Sequence, residues 1–273
     1  MPFRSTQSVL KRILTAKQFE SLYGVACNCY DVYAKVRDRT FYIPSYLWYI
    51  VARYNNAARR IEIVQKVLSH TMVSRLGVLA TYDIVLRASR ELEGAFVECG
   101  VARGGCSAIM ALIAKDEGKY RSVWMFDSFE GLPPQSDKDG VQKPTRHNDR
   151  RANDLAEGYC LGTYDEVYKW FVNELGLSFN SIFMIKGWFQ DTLPKYKESI
   201  GPIAVLRLDG DWYESTKCCL ENLYGNVVKG GYVIIDDYSL IGCKQAVDEF
   251  LGKLNEMPIM QFDGNGRAYW HKS

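Results

Sequence analysis

Metal-binding cysteine motifs and long apolar runs are both absent from this 273-residue sequence. None of the eight cysteines forms a CxxC pair, which argues against a zinc ribbon. No apolar run reaches the roughly 20 residues that cross a bilayer, so we expect no membrane span. The formal net charge is only +2, which gives no indication of a nucleic-acid partner. Several cysteines lie within apolar runs and read as free thiols, which favours a reducing, cytoplasmic location.

The first 19 residues are basic and carry no acidic side chain before Glu20. Three interpretations stay open for this segment: an ordinary surface helix, a helix lying at a membrane interface, and a transit peptide. The ordinary helix is favoured because the apolar face, around Val9 and Ile13, is modest.

The order of elements along the chain predicts a doubly wound α/β fold preceded by helices. Residues 1–90 form a predicted N-terminal helical extension or cap, because apolar residues recur at three- and four-residue spacing in 46–70 and 73–93. From residue 91 to 273, near-continuous apolar strands alternate with helical stretches, which is typical of a parallel sheet covered on both faces. The predicted strands are 95–100, 122–127, 181–187, 203–209 and 232–237, and the predicted helices are 105–117, 163–175, 215–228 and 242–255. The turn signal "DGNG" near the end predicts a hairpin that adds antiparallel strands to one edge of the sheet.

A polar stretch at about 131–160 has no clear periodicity and contains His147. A loop of this length inside a compact domain is usually a lid, a binding loop or disordered. We therefore predict a lid loop, and His147 is either a substrate contact or simply exposed.

Glycines follow the first predicted strand in "ECGVARGG", residues 98–105. Gly100 and Gly104 would let the backbone turn tightly and approach a ligand, and Glu98 precedes them in the arrangement ExGxxxG. The next strand ends in Asp127, where a carboxylate can accept hydrogen bonds from both hydroxyls of a ribose. The pair indicates a nucleoside ligand, and the lack of a pyrophosphate fingerprint favours S-adenosylmethionine over a dinucleotide. The alternative is a structural turn in which Asp127 and Ser128 cap a helix.

Carboxylates end two further apolar strands, in "LRLDGDWYEST" and "GGYVIIDDYS". If these strands are neighbours, Asp209, Asp236 and Asp237 converge at the edge of the sheet where ligands bind. Like charges so close need compensation, and an all-oxygen site suits a hard cation such as Mg²⁺. Asp211, two residues beyond Asp209, is then the candidate general base. The alternative is that these aspartates cap the two helices that follow.

The stretch "IKGWFQDTLPKY", residues 185–196, places aromatic rings at the end of a strand. Trp188 or Phe189 could flank an adenine, with Gln190 or Asp191 bonding its amine. Core packing of either ring is an equally good interpretation.

Five segments taken together resemble the macrocin O-methyltransferase-like family, over about residues 71–250. They are "FVECGVARGG", "FDSFEGLPP", "KGWFQDTLP", "LRLDGDWYEST" and "GGYVIIDDY". The resemblance implies a class I methyltransferase (Rossmann-like) fold, S-adenosylmethionine and Mg²⁺ as cofactors, and a sugar hydroxyl as acceptor. It also implies a homo-oligomer, such as a dimer, with the aromatic segment 41–54 as a candidate contact.

The resemblance also assigns roles to individual residues. It implies Asp209, Asp236 and Asp237 as metal ligands and Asp211 as the general base. The implied cofactor-binding residues are Glu98 and Gly100 beside the methionine part, Asp127 at the ribose, and Trp188 with Asp191 at the adenine, together with Gly104, Ser107 and Ser128.

We therefore predict a Mg²⁺-dependent, S-adenosylmethionine-dependent O-methyltransferase that acts on a small sugar or glycoside, without a nucleic-acid or membrane partner. Three alternatives remain at this point: a catechol-like acceptor, a metal-dependent sugar-nucleotide enzyme, and a non-catalytic methyltransferase-like module. The sequence leaves the acceptor's scaffold and the methylated hydroxyl open.

Overall fold

The structure is a computed structural model that describes residues 55–140, 157–263 and 266–273. Residues 62–273 form a compact unit. The basic segment 1–19, the aromatic segment 41–54 and His147 lie outside the described residues, and the predicted boundary near residue 90 stays a prediction. Within the described ranges, no helix is both long enough and apolar enough to cross a membrane.

A seven-stranded sheet runs through the described part of this unit, in the order β3-β2-β1-β4-β5-β7-β6. The first five strands are parallel, β7 pairs antiparallel with β5, and β6 pairs antiparallel with β7. The strands are β1 (Ala95–Cys99), β2 (Val123–Asp127), β3 (Ile182–Lys186), β4 (Ile203–Leu208), β5 (Val227–Ile235), β6 (Gln261–Phe262) and β7 (Ala268–His271). This confirms the predicted class I fold and its antiparallel C-terminal hairpin. The strand order reverses between β1 and β4, which is where open α/β sheets bind ligands.

Helices cover both faces of the sheet. They are α1 (Asn55–Val67), α2 (Arg75–Glu91), α3 (Gly105–Asp116), α4 (Tyr164–Lys169), α5 (Phe189–Ile200), α6 (Tyr213–Leu223) and α7 (Ile241–Leu251). A π-helical turn, Trp170–Glu174, extends α4. Apolar side chains of α2 and α3 form one hydrophobic core with one face of the sheet, and those of α5, α6 and α7 form a second core with the other face. Two buried faces explain why the strand sequences show little alternation.

The structure differs from the predicted elements at α5 and β5. Helix α5 was not predicted, although Leu193 and Ile200 are buried on one of its faces and Phe189 and Tyr196 pack beside them. These four positions have helical spacing, but Pro194 lies among them and weakens the pattern. Strand β5 begins at Val227 rather than at residue 232, because the glycine-containing stretch 227–231 also pairs with neighbouring strands.

Candidate active site

The turn after β1 contains positions where only glycine fits without a collision. Gly100 has a φ of +91°, and a Cβ atom added there would collide with the carbonyl oxygen of Asp209. Gly104, with a φ of +89°, is the N-cap residue of helix α3. A Cβ on Gly105 would lie 2.7 Å from the carbonyl oxygen of His70. Close approach of two backbone segments therefore explains both Gly100 and Gly105. The contact at Gly100 also brings the ends of β1 and β4 together, where the strand order of the sheet reverses.

Glu98 lies on β1 and is only 1% exposed. The Ser107 hydroxyl donates to its Oε2, and Nη1 of Arg207 lies 2.7 Å from its Oε1. Burial raises the pKa of Glu98 to about 7, although the Arg207 charge and the Ser107 bond oppose that rise. Glu98 and Ser107 therefore form a buried polar link between β1 and the start of α3, beneath the glycine turn.

Asp127 ends β2 and holds the glycine turn in place. Its Oδ2 accepts hydrogen bonds from the backbone nitrogens of Val101 (2.7 Å) and Ala102 (2.9 Å), and its Oδ1 accepts one from Phe129 (2.6 Å). Burial raises the pKa of Asp127, and these three bonds oppose the rise. Ser128 donates to the carbonyl of Gly131, within the loop that follows β2. Asp127 thus makes the contacts of a structural turn, and neither residue caps a helix in the bonds described; the ribose role of Asp127 stays a prediction.

Trp188 and Asp191 lie at the end of the neighbouring strand, β3. The backbone nitrogen of Gly187 donates to the Asp127 carbonyl at 2.9 Å, so this segment runs beside the end of β2. Trp188 is half-buried and precedes α5, and Asp191 is exposed in the first turn of that helix. Trp188 and Asp191 therefore lie next to the residue predicted to bind the ribose, and their adenine role stays a prediction.

A cluster of carboxylates lies where β4 and β5 end. Asp209, Asp211 and Asp237 each offer a carboxylate oxygen, and these atoms all lie within 4.8 Å of one another. Burial raises the pKa of Asp237 well above its ordinary value, and the charges of Asp211 and Asp209 raise it further. Three hard oxygen donors whose charges repel one another fit a divalent cation such as Mg²⁺, which binds carboxylates and keeps room for substrate oxygens.

Asp236 is turned toward a buried arginine. Arg207, on β4, is fully buried; its Nη2 lies 2.6 Å from Oδ1 of Asp236, and its Nη1 lies 2.8 Å from Oδ2 of Asp209. Burial raises the pKa of Asp236 to about 6 against the lowering effect of Arg207. The predicted ligand Asp236 therefore lies next to the carboxylate cluster, in an ion pair, while Asp211 stands in the cluster itself. The ligand set of Asp209, Asp236 and Asp237 stays a prediction.

Comparison with known proteins identifies the family. Residues 7–272 match the sequence profile described as macrocin-O-methyltransferase (TylF). The chain belongs to the macrocin O-methyltransferase family. It is therefore an S-adenosylmethionine-dependent O-methyltransferase, as the sequence predicted.

Individual relatives agree with this assignment. The chain is 37% identical over 208 residues, 74% of its length and 76% of the relative's, to the 8-demethyl-8-(2,3-dimethoxy-alpha-L-rhamnosyl)-tetracenomycin-C 4'-O-methyltransferase of Streptomyces olivaceus. It is 39% identical over 189 residues, 67% of each protein, to the demethyldecarbamoylnovobiocin O-methyltransferase of Streptomyces niveus. The solved structure of the O-methyltransferase NovP superimposes with a TM-score of 0.61 at 34% identity, over 75% of this chain and 82% of that one.

Two residues near the candidate site, Arg207 and Asp139, were not predicted from the sequence. Arg207 had a usable signal, because it is a lone cation inside an otherwise apolar strand, as Glu98 is a lone anion inside another. Asp139 is completely buried and its Oδ1 accepts a hydrogen bond from the backbone nitrogen of Tyr213 at 2.7 Å. It lies in the polar stretch that was predicted as a lid, and no local pattern distinguishes it from its exposed neighbours.

Proposed function

We propose that this enzyme methylates a hydroxyl of a sugar carried by a natural product, with Mg²⁺ held by the carboxylates at the ends of β4 and β5. The observation that carries this proposal is the convergence of Asp209, Asp211 and Asp237 within 4.8 Å, next to the glycine turn. The relatives in Streptomyces are named for a rhamnosyl tetracenomycin and a novobiocin precursor, which supports a sugar-bearing acceptor.

Separate groups of residues would bind the cofactor, hold the metal and accept the proton. S-adenosylmethionine supplies an electrophilic methyl group, and we place it along the turn that follows β1, with Asp127 at its ribose and Trp188 at its adenine. When bound, Mg²⁺ would lower the pKa of an acceptor hydroxyl. Asp209 and Asp237, with Asp236 beside them, would hold the cation, and the Arg207 guanidinium keeps Asp209 and Asp236 in fixed orientations.

Asp211 is the proposed general base. Its backbone nitrogen donates to Oδ2 of Asp237 at 3.3 Å, so the loop after β4 that carries Asp209 and the base is bonded to the end of β5, which carries Asp237. A carboxylate held there can take the hydroxyl proton as the methyl group is transferred. Fixing the acceptor oxygen and the base together would supply much of the rate effect through proximity.

Calorimetry tests the binding half of this proposal. S-adenosylmethionine should bind with or without Mg²⁺, and methyl α-L-rhamnopyranoside, used as a diol-bearing probe, should bind only when both are present. The Asp209→Asn variant should keep cofactor affinity within about threefold and lose the Mg²⁺-dependent sugar binding, because its amide removes one charged ligand.

Turnover tests the chemical half. With a panel of rhamnosides and a catechol, we expect methylation of a rhamnoside that falls by about 100-fold or more in Asp209→Asn, in Asp211→Asn and with EDTA. Undiminished turnover in EDTA would contradict the metal. Preference for the catechol would keep the chemistry and replace the acceptor class.

A further inference from the structure

Asp211 has a backbone conformation that needs support from its surroundings. Its φ is +55°, in the left-handed region that is costly for a residue with a Cβ atom. The Trp212 backbone nitrogen donates to the Gly210 carbonyl at 2.6 Å, which closes a tight turn around Asp211. Such a conformation persists only where neighbouring contacts fix it, so the contacts on either side of Asp211 matter to the position of its carboxylate.

The residue after Asp211 is fastened to the segment 133–139. Trp212 is 2% exposed, and its indole nitrogen, Nε1, donates to the Pro133 carbonyl at 2.9 Å. A buried indole holds its backbone firmly because its ring fills core volume and its one N–H has a partner. Trp212 is also the N-cap residue of helix α6, so it joins the loop to the helix.

The next residue, Tyr213, is fastened to the same segment by a buried carboxylate. The first backbone N–H groups of a helix have no partner within the helix, and the Trp212 side chain cannot supply one. Asp139 does so from another part of the chain: its Oδ1 accepts from the Tyr213 nitrogen at 2.7 Å. Its Oδ2 accepts from both the backbone nitrogen and the hydroxyl of Ser136, each at 2.7 Å.

The space for this carboxylate is kept open by a glycine on another helix. A Cβ atom on Gly242, in α7, would collide with Oδ1 of Asp139. A fully buried carboxylate is costly unless donors satisfy it, and here three donors do. A general helix cap at this place could have been supplied more simply by Ser, Thr or Asp at position 212. The chain instead fixes the start of α6 from outside, within two residues of the proposed base.

We propose that Asp139 and Trp212 are positioning residues that hold Asp211 in its reactive orientation, an inference that rests on the proposed role of Asp211 as general base. Together they tie both residues that follow Asp211 to the segment 133–139, while the Asp211 nitrogen faces Asp237 on the other side. A displacement of about 1 Å at a reacting group can lower turnover by about 100-fold.

Turnover separates positioning from folding. With the rhamnoside probe, Asp139→Ala and Trp212→Phe should each lower kcat by about tenfold or more, with KM for S-adenosylmethionine within about twofold of the parent. The matched control is Ser136→Ala, which removes a bond at the far oxygen of the same carboxylate and leaves the Tyr213 bond; its kcat should stay within about twofold. Trp212→Phe keeps most of the ring volume, so it remains informative if Asp139→Ala does not fold.

Backbone hydrogen exchange gives a readout that needs no acceptor. In Asp139→Ala and Trp212→Phe, amides in 209–213 should exchange at least about tenfold faster than in the parent, and in Ser136→Ala less than about twofold faster. Parental exchange in 209–213, or parental kcat in both variants while Asp211→Asn is inactive, would overturn the inference. If Asp211→Asn keeps full turnover, the proposed base is wrong, and the exchange data still decide whether Asp139 and Trp212 hold this loop.

Discussion

Arg121 and Arg207 are both buried in the same unit, but their surroundings differ in kind. Arg121 is 4% exposed and lies near the start of β2; its guanidinium donates to the carbonyls of Gly94, Ser89 and Leu92 and to the carboxylate of Glu117. One positive charge therefore meets one negative charge and several neutral acceptors. This arrangement ties the end of α2, the start of β1 and the end of α3 together.

Arg207 meets three carboxylates from three segments of the chain. Glu98 lies on β1, Asp209 follows β4 and Asp236 follows β5, all at 2.6–2.8 Å from the guanidinium. The Nε atom of Arg207 has no hydrogen-bond partner among the described residues. Arg267 also reaches Asp236, with its Nε 4.0 Å from Oδ1. With Asp211 and Asp237 close by, the carboxyl groups of this region still outnumber its cations.

The comparison distinguishes a cation that stabilises a fold from one that organises a site. An arginine satisfied by carbonyls leaves no charge for a ligand to balance. An arginine outnumbered by carboxylates fixes their orientation and still leaves negative charge that a divalent cation can offset.

Arg207→Met is expected to have the largest effect. Removing one partner of a buried ion cluster typically destabilises a protein by about 3–5 kcal/mol, because the remaining charges stay buried without compensation. Turnover of the folded fraction should also fall by about 100-fold, since Asp209 and Asp236 lose their common anchor. Urea unfolding and kcat at low temperature measure the two effects.

The effect of Mg²⁺ on the stability of Arg207→Met tests the same role of Arg207. Added Mg²⁺ should stabilise Arg207→Met more than it stabilises the parent, because the uncompensated carboxylates favour a cation that binds only the folded state. Parental turnover in the variant would mean that Arg207 does not orient the metal ligands.

Arg121→Met is expected to affect stability alone. Glu117 and three backbone carbonyls lose their partner, so unfolding free energy should fall by about 3 kcal/mol. The kcat of the folded enzyme should stay within about twofold, and Mg²⁺ should stabilise this variant no more than the parent. A loss of turnover comparable with that of Arg207→Met would remove the distinction between the two arginines.

The same comparison shows which parts of the site were readable in the sequence. Strands β1 to β5 and the hairpin were predictable because apolar runs and turn residues are local signals. The pairing of Arg207 with Glu98 required the register as well: the two residues are opposite each other in the β1–β4 pairing. A charged residue alone in each of two buried strands is a usable signal once those strands are known to be neighbours.

Other features depend on contacts that no local pattern encodes. Asp139 stands among polar residues, and its burial follows only from the approach of Tyr213 and Gly242. The orientation of Asp236 was likewise not predictable, because adjacent aspartates at a strand end look equivalent in sequence while one faces Arg207 and the other faces Asp211. Helix α5 was hidden by Pro194 despite its helical spacing.

The smallest expected effect concerns the pH dependence of stability in the metal-free enzyme. Burial raises the pKa of Glu98 to about 7, from an ordinary value of 4.5 in the unfolded chain. Between these values the folded state binds a proton that the unfolded state does not, so this group adds stability as the pH falls from about 7 to 4.5 and loses it as the pH rises. We expect the parent to gain about 1–3 kcal/mol over this range relative to Glu98→Gln, which has no proton to bind there.

Urea unfolding of both proteins across this pH range, in EDTA, measures the difference. Subtracting the variant's free energy of unfolding from that of the parent cancels the contributions of carboxyl groups such as Asp236 and Asp237, which are present in both proteins. Glu117→Gln is the matched control, because Glu117 is the half-buried carboxylate partner of Arg121. If the parent instead becomes less stable than Glu98→Gln as the pH falls, Arg207 keeps Glu98 ionised in the folded state. The attraction of the arginine would then exceed the effect of burial, and the two arginine sites would be more alike in their electrostatics than their surroundings indicate.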